Sequence, residues 1–199
     1  MEKKYKLTEE TLEIDGHVLN RIIALRDFGE VKKGDIGGWI EGQENLSHDD
    51  DCWVCEEAQV YGNARVYGEA KVYGYAKVYG EAEVYGNAQV CGEAQVCGEA
   101  EVYGYAIVCG NAKVEKKSDY IVFKNWWSSG RYFTWTRSND MWSVGCFYGT
   151  GEELIKKAYK DSEEKGREYE RIVKYVGLIK QEFKWKSTLS KTRMEAKEK

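Results

Sequence analysis

Residues 54–114 read VCEEAQ-VYGNAR-VYGEAK-VYGYAK-VYGEAE-VYGNAQ-VCGEAQ-VCGEAE-VYGYAI-VCGNAK-V, ten hexads of the form V-[YC]-[GE]-x-A-x without insertion, closed by Val114. Valine recurs at every sixth position from Val54 and alanine at every sixth from Ala58 to Ala112. Glycine fills the third slot from Gly62 to Gly110, and Glu56 is the sole departure. In A-x-V-Y the side chains alternate, so Ala and Val share one face while x and Tyr or Cys share the other. The Gly-x step that follows, Gly-Asn at 62–63, 86–87 and 110–111, suits a corner that needs positive φ. A strand of four residues cannot bury its apolar face alone, so successive hexads must wind around a shared core.

This pattern resembles the hexapeptide repeat of left-handed parallel β-helices, in which three hexads make one triangular coil. The resemblance implies three and a third regular coils over residues 54–114, rising roughly 16 Å at about 4.8 Å per coil. Each coil would bury three Val and three Ala, a thin core whose ends need caps. Ile40, Leu46 and Cys52 fall six apart and in phase with the Ala column, so one degenerate coil is expected before the regular ones.

The caps are readable on either side. Residues 12–14, Asp15-Gly16 and residues 17–24 have the pattern of a β-hairpin with a tight turn. After Val114, strand-like runs at 120–127, 131–137 and 141–148 are joined by Ser-Ser-Gly and Asn-Asp turns. Thr150-Gly-Glu-Glu153 is a capping box opening a helix over 152–160. Tyr169, Ile172, Val173, Val176, Ile179 and Phe183 form the apolar stripe of a second helix. The expected fold is mainly β: an N-terminal hairpin cap (1–33), a left-handed parallel β-helix (34–114) and a small aromatic β-β-β-α-α domain (115–186). A polar tail (187–199) follows, expected to be disordered or helical only when bound.

Composition narrows the class. The 199 residues include 30 Lys+Arg against 34 Asp+Glu, 21 Gly, 15 Tyr and no Pro, so the turns rest on Gly and Asn. Residues 1–53 carry 7 basic and 13 acidic groups, residues 54–114 carry 4 and 8, and residues 115–199 carry 19 and 13; the sign change coincides with the end of the repeat. The charged N-terminus lacks an apolar h-region, and the longest uncharged stretches are too short to span a bilayer. The six cysteines are therefore expected as reduced thiols in a cytoplasm.

Three blocks extend the likeness beyond the repeat: the leader RIIALRDFGEVKKGDIGGWIE (residues 21–41) with Asn45-Leu-Ser, the Tyr-Gly-x-Ala-x-Val array, and Gly145-Cys-Phe-Tyr-Gly-Thr150. Together they resemble hexapeptide-repeat proteins of tailed phages and prophages. That resemblance implies an accessory protein working in the bacterial host cytoplasm, and it supplies no catalytic residues.

Acyltransfer is the chemistry best known for this fold and calls for a histidine base. The chain has two histidines. His17 follows the hairpin turn and reads as an exposed polar residue, which leaves His48, in His-Asp-Asp-Asp, as the candidate base. The regular coils carry no insertion loop to shape an acyl-donor pocket, so acyltransfer through His48 stands as an alternative. His48-x3-Cys52-x2-Cys55 has the types of a zinc set, but Cys52 takes the inward Ala column and Cys55 the outward Tyr column, so they cannot converge. No metal or cofactor is expected. Cys91 and Cys109, 18 apart, should stack on one face with Cα atoms about 4.8 Å apart. Cys97 should lie on another face, and Cys146 should pack within an aromatic strand.

With 18 residues per coil the outward residues form ladders: Tyr67, Tyr85 and Tyr103; Tyr61, Tyr79 and Cys97; and Cys55, Tyr73, Cys91 and Cys109. Two readings stand for the first, a self-association face or intrachain stacking that stiffens the coil. By analogy with parallel β-helices, self-association would give a homotrimer. Residues 120–148 hold ten aromatics, which read either as the core of a small sheet or as a stacking platform for a nucleotide or single-stranded nucleic acid. Trp126, Trp127, Arg131 and Trp135, placed around the turn between the first two C-terminal strands, are the expected partner-binding residues. The functional expectation is a non-catalytic binding protein that occludes a host or defence protein or sequesters a nucleotide. A self-assembling structural protein and a His48 acyltransferase are the alternatives.

Overall fold

The computed structural model of the protein describes residues 3–195, with side chains through residue 182. Strand β1 (Tyr5–Ile14) turns through Asp15 and Gly16, both at positive φ (50° and 84°), into β2 (His17–Ala24). This is the hairpin expected from the sequence, with a longer first strand. β2 pairs antiparallel with β3 (Ile36–Ile40), so the hairpin extends one face of the solenoid edge-on. Eleven two-residue strands follow, β4 (Trp53–Val54) to β14 (Lys113–Val114), each ending on a valine of the repeat.

The strands stack in parallel on three faces. One carries Ile40, Val60, Val78, Val96 and Val114 in register. The second carries Val54, Val72, Val90 and Val108. On the third, Leu46 bridges to Val66, followed by Val84 and Val102. Every repeat valine and alanine is 0–1% exposed, so the Val and Ala columns together are the core. The chain is thus a parallel β-solenoid of 18-residue coils. At the corners Gly62 to Gly110 adopt φ of 63–74°. Glu56, the odd member of that column, adopts φ 57°, and its carboxylate accepts the Gly74 N–H at 2.7 Å.

The first coil differs from expectation. Ile40 and Leu46 lie beneath Val60 and Val66, twenty residues on, and therefore in the Val column and not the Ala column. Cys52 keeps the Ala position, since Trp53 N–H donates to Ala70 O. Two extra residues are absorbed between Leu46 and Val54, in a bend where Asp50 takes φ 53° and Asp49 N–H donates to Ser47 Oγ.

Beyond the coils lies a meander of four strands, β15 (Tyr120–Lys124), β16 (Tyr132–Thr136), β17 (Met141–Val144) and β18 (Phe147–Gly149), in that order. The third run expected from the sequence is split at Gly145, φ 56°, which puts Cys146 in an exposed turn and not inside a strand. Helix α1 (Gly151–Asp161) starts at the capping box: Glu153 N–H donates to Thr150 Oγ1 at 3.2 Å and Thr150 N–H to Glu153 Oε2 at 2.8 Å. Helix α2 (Glu163–Glu195) packs against α1, and Tyr169 and Val176 are buried along it. Gly166 is required there, because a Cβ would meet the Tyr159 ring at 2.2 Å. The polar tail runs within α2 as far as Glu195, and its last four residues lie outside the described ones.

Compactness divides the chain differently from the sequence partition. One unit comprises Met1–Asn125 and Gly130–Tyr148, the other Trp126–Ser129 and Gly149–Lys199. The meander belongs with the solenoid because it is bonded to the last coil. Ile107 N–H donates to Thr134 Oγ1 (2.9 Å), Lys113 N–H to Ser138 Oγ (2.7 Å) and Tyr120 O–H to Glu101 O (3.0 Å).

Candidate functional site

The antiparallel register of β2 and β3, with Asn20 opposite Ile40, carries Glu41 to His17. His17 Nδ1–H donates to the Glu41 carboxylate, 2.9 Å from Oε1 and 3.0 Å from Oε2. Gly62 N–H donates to the same carboxylate at 2.7 Å. These two bonds, that from His17 first, hold the Glu41 carboxyl below the usual carboxylate range. The Tyr61 ring lies 5.1 Å from the imidazole. His17 and Glu41 edge a cavity of about 740 Å³ that also takes Asn45, Asn63, Arg65, Glu81 and Glu83. An imidazole oriented by a carboxylate at Nδ1 keeps Nε2 as its lone-pair nitrogen, the arrangement of a base and its orienter. No spacing in the sequence announces it, since the partners lie 24 residues apart. Only the register of β2 on β3 brings the pair together.

His48 is placed elsewhere. Its ring stacks on Tyr5 at 4.3 Å, and Nδ1 accepts the Lys4 N–H at 3.2 Å. Nε2 therefore carries the proton, and it is buried without a hydrogen-bond partner among the described residues. Burial, with the Lys3 and Lys4 charges, moves its pKa down. With the Nδ1 lone pair engaged, the imidazole has none to offer a substrate, so the candidate base of the sequence is a packing residue. Cys52 is likewise inward, with Lys4 Nζ donating to its carbonyl (2.9 Å) and Sγ (3.2 Å). Among the described residues no three His, Cys, Asp or Glu side chains are arranged to hold a metal ion.

The four expected partner-binding residues separate. Trp126 and Trp127 are 70% and 80% exposed. Arg131 is exposed as well. Trp135 is not: it is 2% exposed, and its Nε1–H donates to Asp140 Oδ1 at 2.8 Å. Both faces of β16 are covered, which removes Trp135 from the contact set; Phe133, Thr134 and Thr136 are buried beside it. The sheet-core reading holds for these residues.

The ladders form as the 18-residue coil requires. Tyr67 stacks on Tyr85 at 4.9 Å and Tyr85 on Tyr103 at 5.3 Å, while Tyr61 stacks on Tyr79 at 5.2 Å. The Tyr67 and Tyr85 hydroxyls donate to Glu83 and Glu101. The rings of this face are thus engaged within the chain, and Tyr103 at its end is 47% exposed. Cys91 and Cys109 have Cα atoms 4.6 Å apart and are joined in a disulfide, contrary to the expectation that all six thiols are reduced. One coil pitch is what brings them into bonding range.

Residues 58–74 match the family model described as the YdcK beta solenoid repeat. A 66-residue stretch is 33% identical to the "Uncharacterized acetyltransferase YdcK" of Escherichia coli (strain K12), covering 29% of this chain. The matched stretch spans about a fifth of that relative's length (20%), so the likeness supports the β-solenoid and carries no activity with it. No helix among the described residues is long and apolar enough to cross a membrane.

Proposed function

We propose that the protein acts by binding, with exposed tryptophans as anchors. The observation that carries this reading is the exposure of two adjacent indoles, Trp126 and Trp127, at 70% and 80%. Large aromatic side chains that are mostly exposed at a turn are the type that concentrates interface energy once a partner covers them. On this reading the protein occludes a host component, in keeping with the phage-type likeness of its sequence.

A second reading, acyl transfer, is favoured by the His17–Glu41 pair, with His17 in the role expected of His48. Nε2 would take the proton of an acceptor hydroxyl or amine as it attacks the thioester carbonyl. The departing thiolate would then receive that proton.

Three variants separate the two readings once each is shown to melt as the wild type does. Partner occlusion should be lost in Trp127→Ala and retained in His17→Ala and His48→Ala. Acyl transfer from acetyl-CoA that disappears in His17→Ala and persists in Trp127→Ala would overturn the binding reading. Mass in solution tests the self-assembling alternative, which requires defined or open-ended oligomers of this chain alone.

A further inference from the structure

The tyrosine ladder ends in an open cleft. Its rings stack at 4.9 and 5.3 Å with interplanar angles of 3° and 10°. The next rung would be residue 121, but by then the chain has left the coil, and Ile121 belongs to β15. Tyr103 is therefore covered on one side by Tyr85 and remains 47% exposed. The corner beside it is open too. From Gly62 to Gly92 an added Cβ would stand 2.9–3.3 Å from the next coil's backbone, whereas at Gly104 nothing lies within 4 Å. Tyr105, 49% exposed, stacks on Tyr132 of β16 at 4.2 Å and forms the second wall. Lys117 also lines the cleft, its Nζ 2.7 Å from Glu101 Oε1. The cleft has a volume of about 460 Å³, within the range of roughly 300–1,000 Å³ typical of small-ligand sites.

We infer that this cleft binds a planar heteroaromatic ring carrying an anionic group, a nucleoside monophosphate in class. The ring would add the missing rung on the open side of Tyr103, using the face-to-face stacking that the ladder already repeats. The phosphate would meet Lys117, whose side chain is 63% exposed. Glu101 would not be stranded by that shift, because the Tyr85 hydroxyl also donates to it at 3.2 Å. An uncharged sugar would use the rings and leave the lysine idle, so the pairing of ring wall and cation favours the nucleotide. The inference does not rest on Trp126 or Trp127.

Calorimetric titration of the full chain with AMP, GMP, CMP and UMP, and with the matching nucleosides, tests it. Saturable binding of at least one monophosphate is expected. Tyr103→Ala should weaken it about 5- to 100-fold, the effect of losing one base–aromatic stack. Tyr103→Phe should keep it, since stacking needs the ring and not the hydroxyl, and Ile121→Trp should abolish it by filling the cleft. Lys117→Ala should weaken the monophosphate and leave the nucleoside unchanged. Absence of saturable binding at millimolar concentration would overturn the proposal, as would equal affinities in wild type, Tyr103→Ala and Ile121→Trp. Oligothymidylate binding that tightens with length, with no mononucleotide bound, would also overturn it and point to a nucleic-acid track.

Discussion

The Lys4 ammonium donates to the carbonyl oxygen of Cys52 at 2.9 Å, inside the mouth of the first coil. It also donates to the carbonyls of Asp49 and Asp50, both at 3.2 Å, and stands 5.1 Å from the centroid of the Phe28 ring. Lys4 is 0% exposed. A single side chain thus satisfies the carbonyls left bare by the bend that enlarges the first coil, at an end where no further coil could do so.

Lys4→Met keeps the aliphatic stem and leaves those acceptors unpaired. Each buried acceptor so exposed costs about 1–3 kcal/mol, so the variant should lose about 3 kcal/mol or more in a denaturant melt. Lys6→Met, at an exposed position two residues on, at the start of β1, should change stability by less than about 0.5 kcal/mol. Equal losses would mean that Lys4 does not cap the coil.

The column assignment predicts a contrast between two neighbouring aspartates introduced into the solenoid. Val84 is 0% exposed, so Val84→Asp buries a carboxylate with no partner and should cost several kcal/mol. Gln89 points outward and accepts the Tyr73 hydroxyl at 3.2 Å. Gln89→Asp should cost less than about 1 kcal/mol. Thermal melts of the two variants would reveal a misassigned register if they shifted alike.

The Cys91–Cys109 bond closes a loop of sequence separation 18, for which chain-entropy arguments give about 3 kcal/mol of stabilisation. Cys109→Ser should lower stability by up to that amount, and reducing agent should affect the wild type but not the variant. Peptide mapping without reduction should recover residues 91 and 109 linked. Recovery of both as free thiols from air-exposed protein would refute the bond.

The Glu41 carboxyl is held below the usual value by His17 and then by the Gly62 N–H. A carboxylate whose pKa is lower folded than unfolded stabilises the native state above the unfolded pKa, and that contribution falls away as pH drops through the folded one. The wild type should therefore lose stability on acidification below about pH 4.3 more steeply than Glu41→Gln, whose curve lacks this step. Parallel curves for the two proteins across the acid range would show that the pair contributes nothing.

What the repeat determined by itself was the solenoid and the fate of its columns. Valine and alanine at period six leave one inward face, and glycine at the third slot supplies the corner, so which side chains are buried follows from local alternation. Even the exception was legible, since Glu56 occupies a left-handed corner that its column demands. The ladder of Tyr67, Tyr85 and Tyr103 and the approach of Cys91 to Cys109 followed from the same 18-residue coil.

Tertiary structure decided what local pattern could not. Ile40, Leu46 and Cys52 have Ala-column spacing, and only their pairing partners reveal two residues inserted among them. Trp135 sits near a turn in sequence, yet β16 is covered on both faces, and a strand with aromatics on both sides carries no alternation that tells inside from outside. His17 and Glu41 meet because β2 lies against β3, a neighbour relation set by sheet order over a long loop. His48 loses its lone pair to the backbone of Lys4, 44 residues away. Such contacts are made across the fold between residues with no shared period, and the chain must close before they exist.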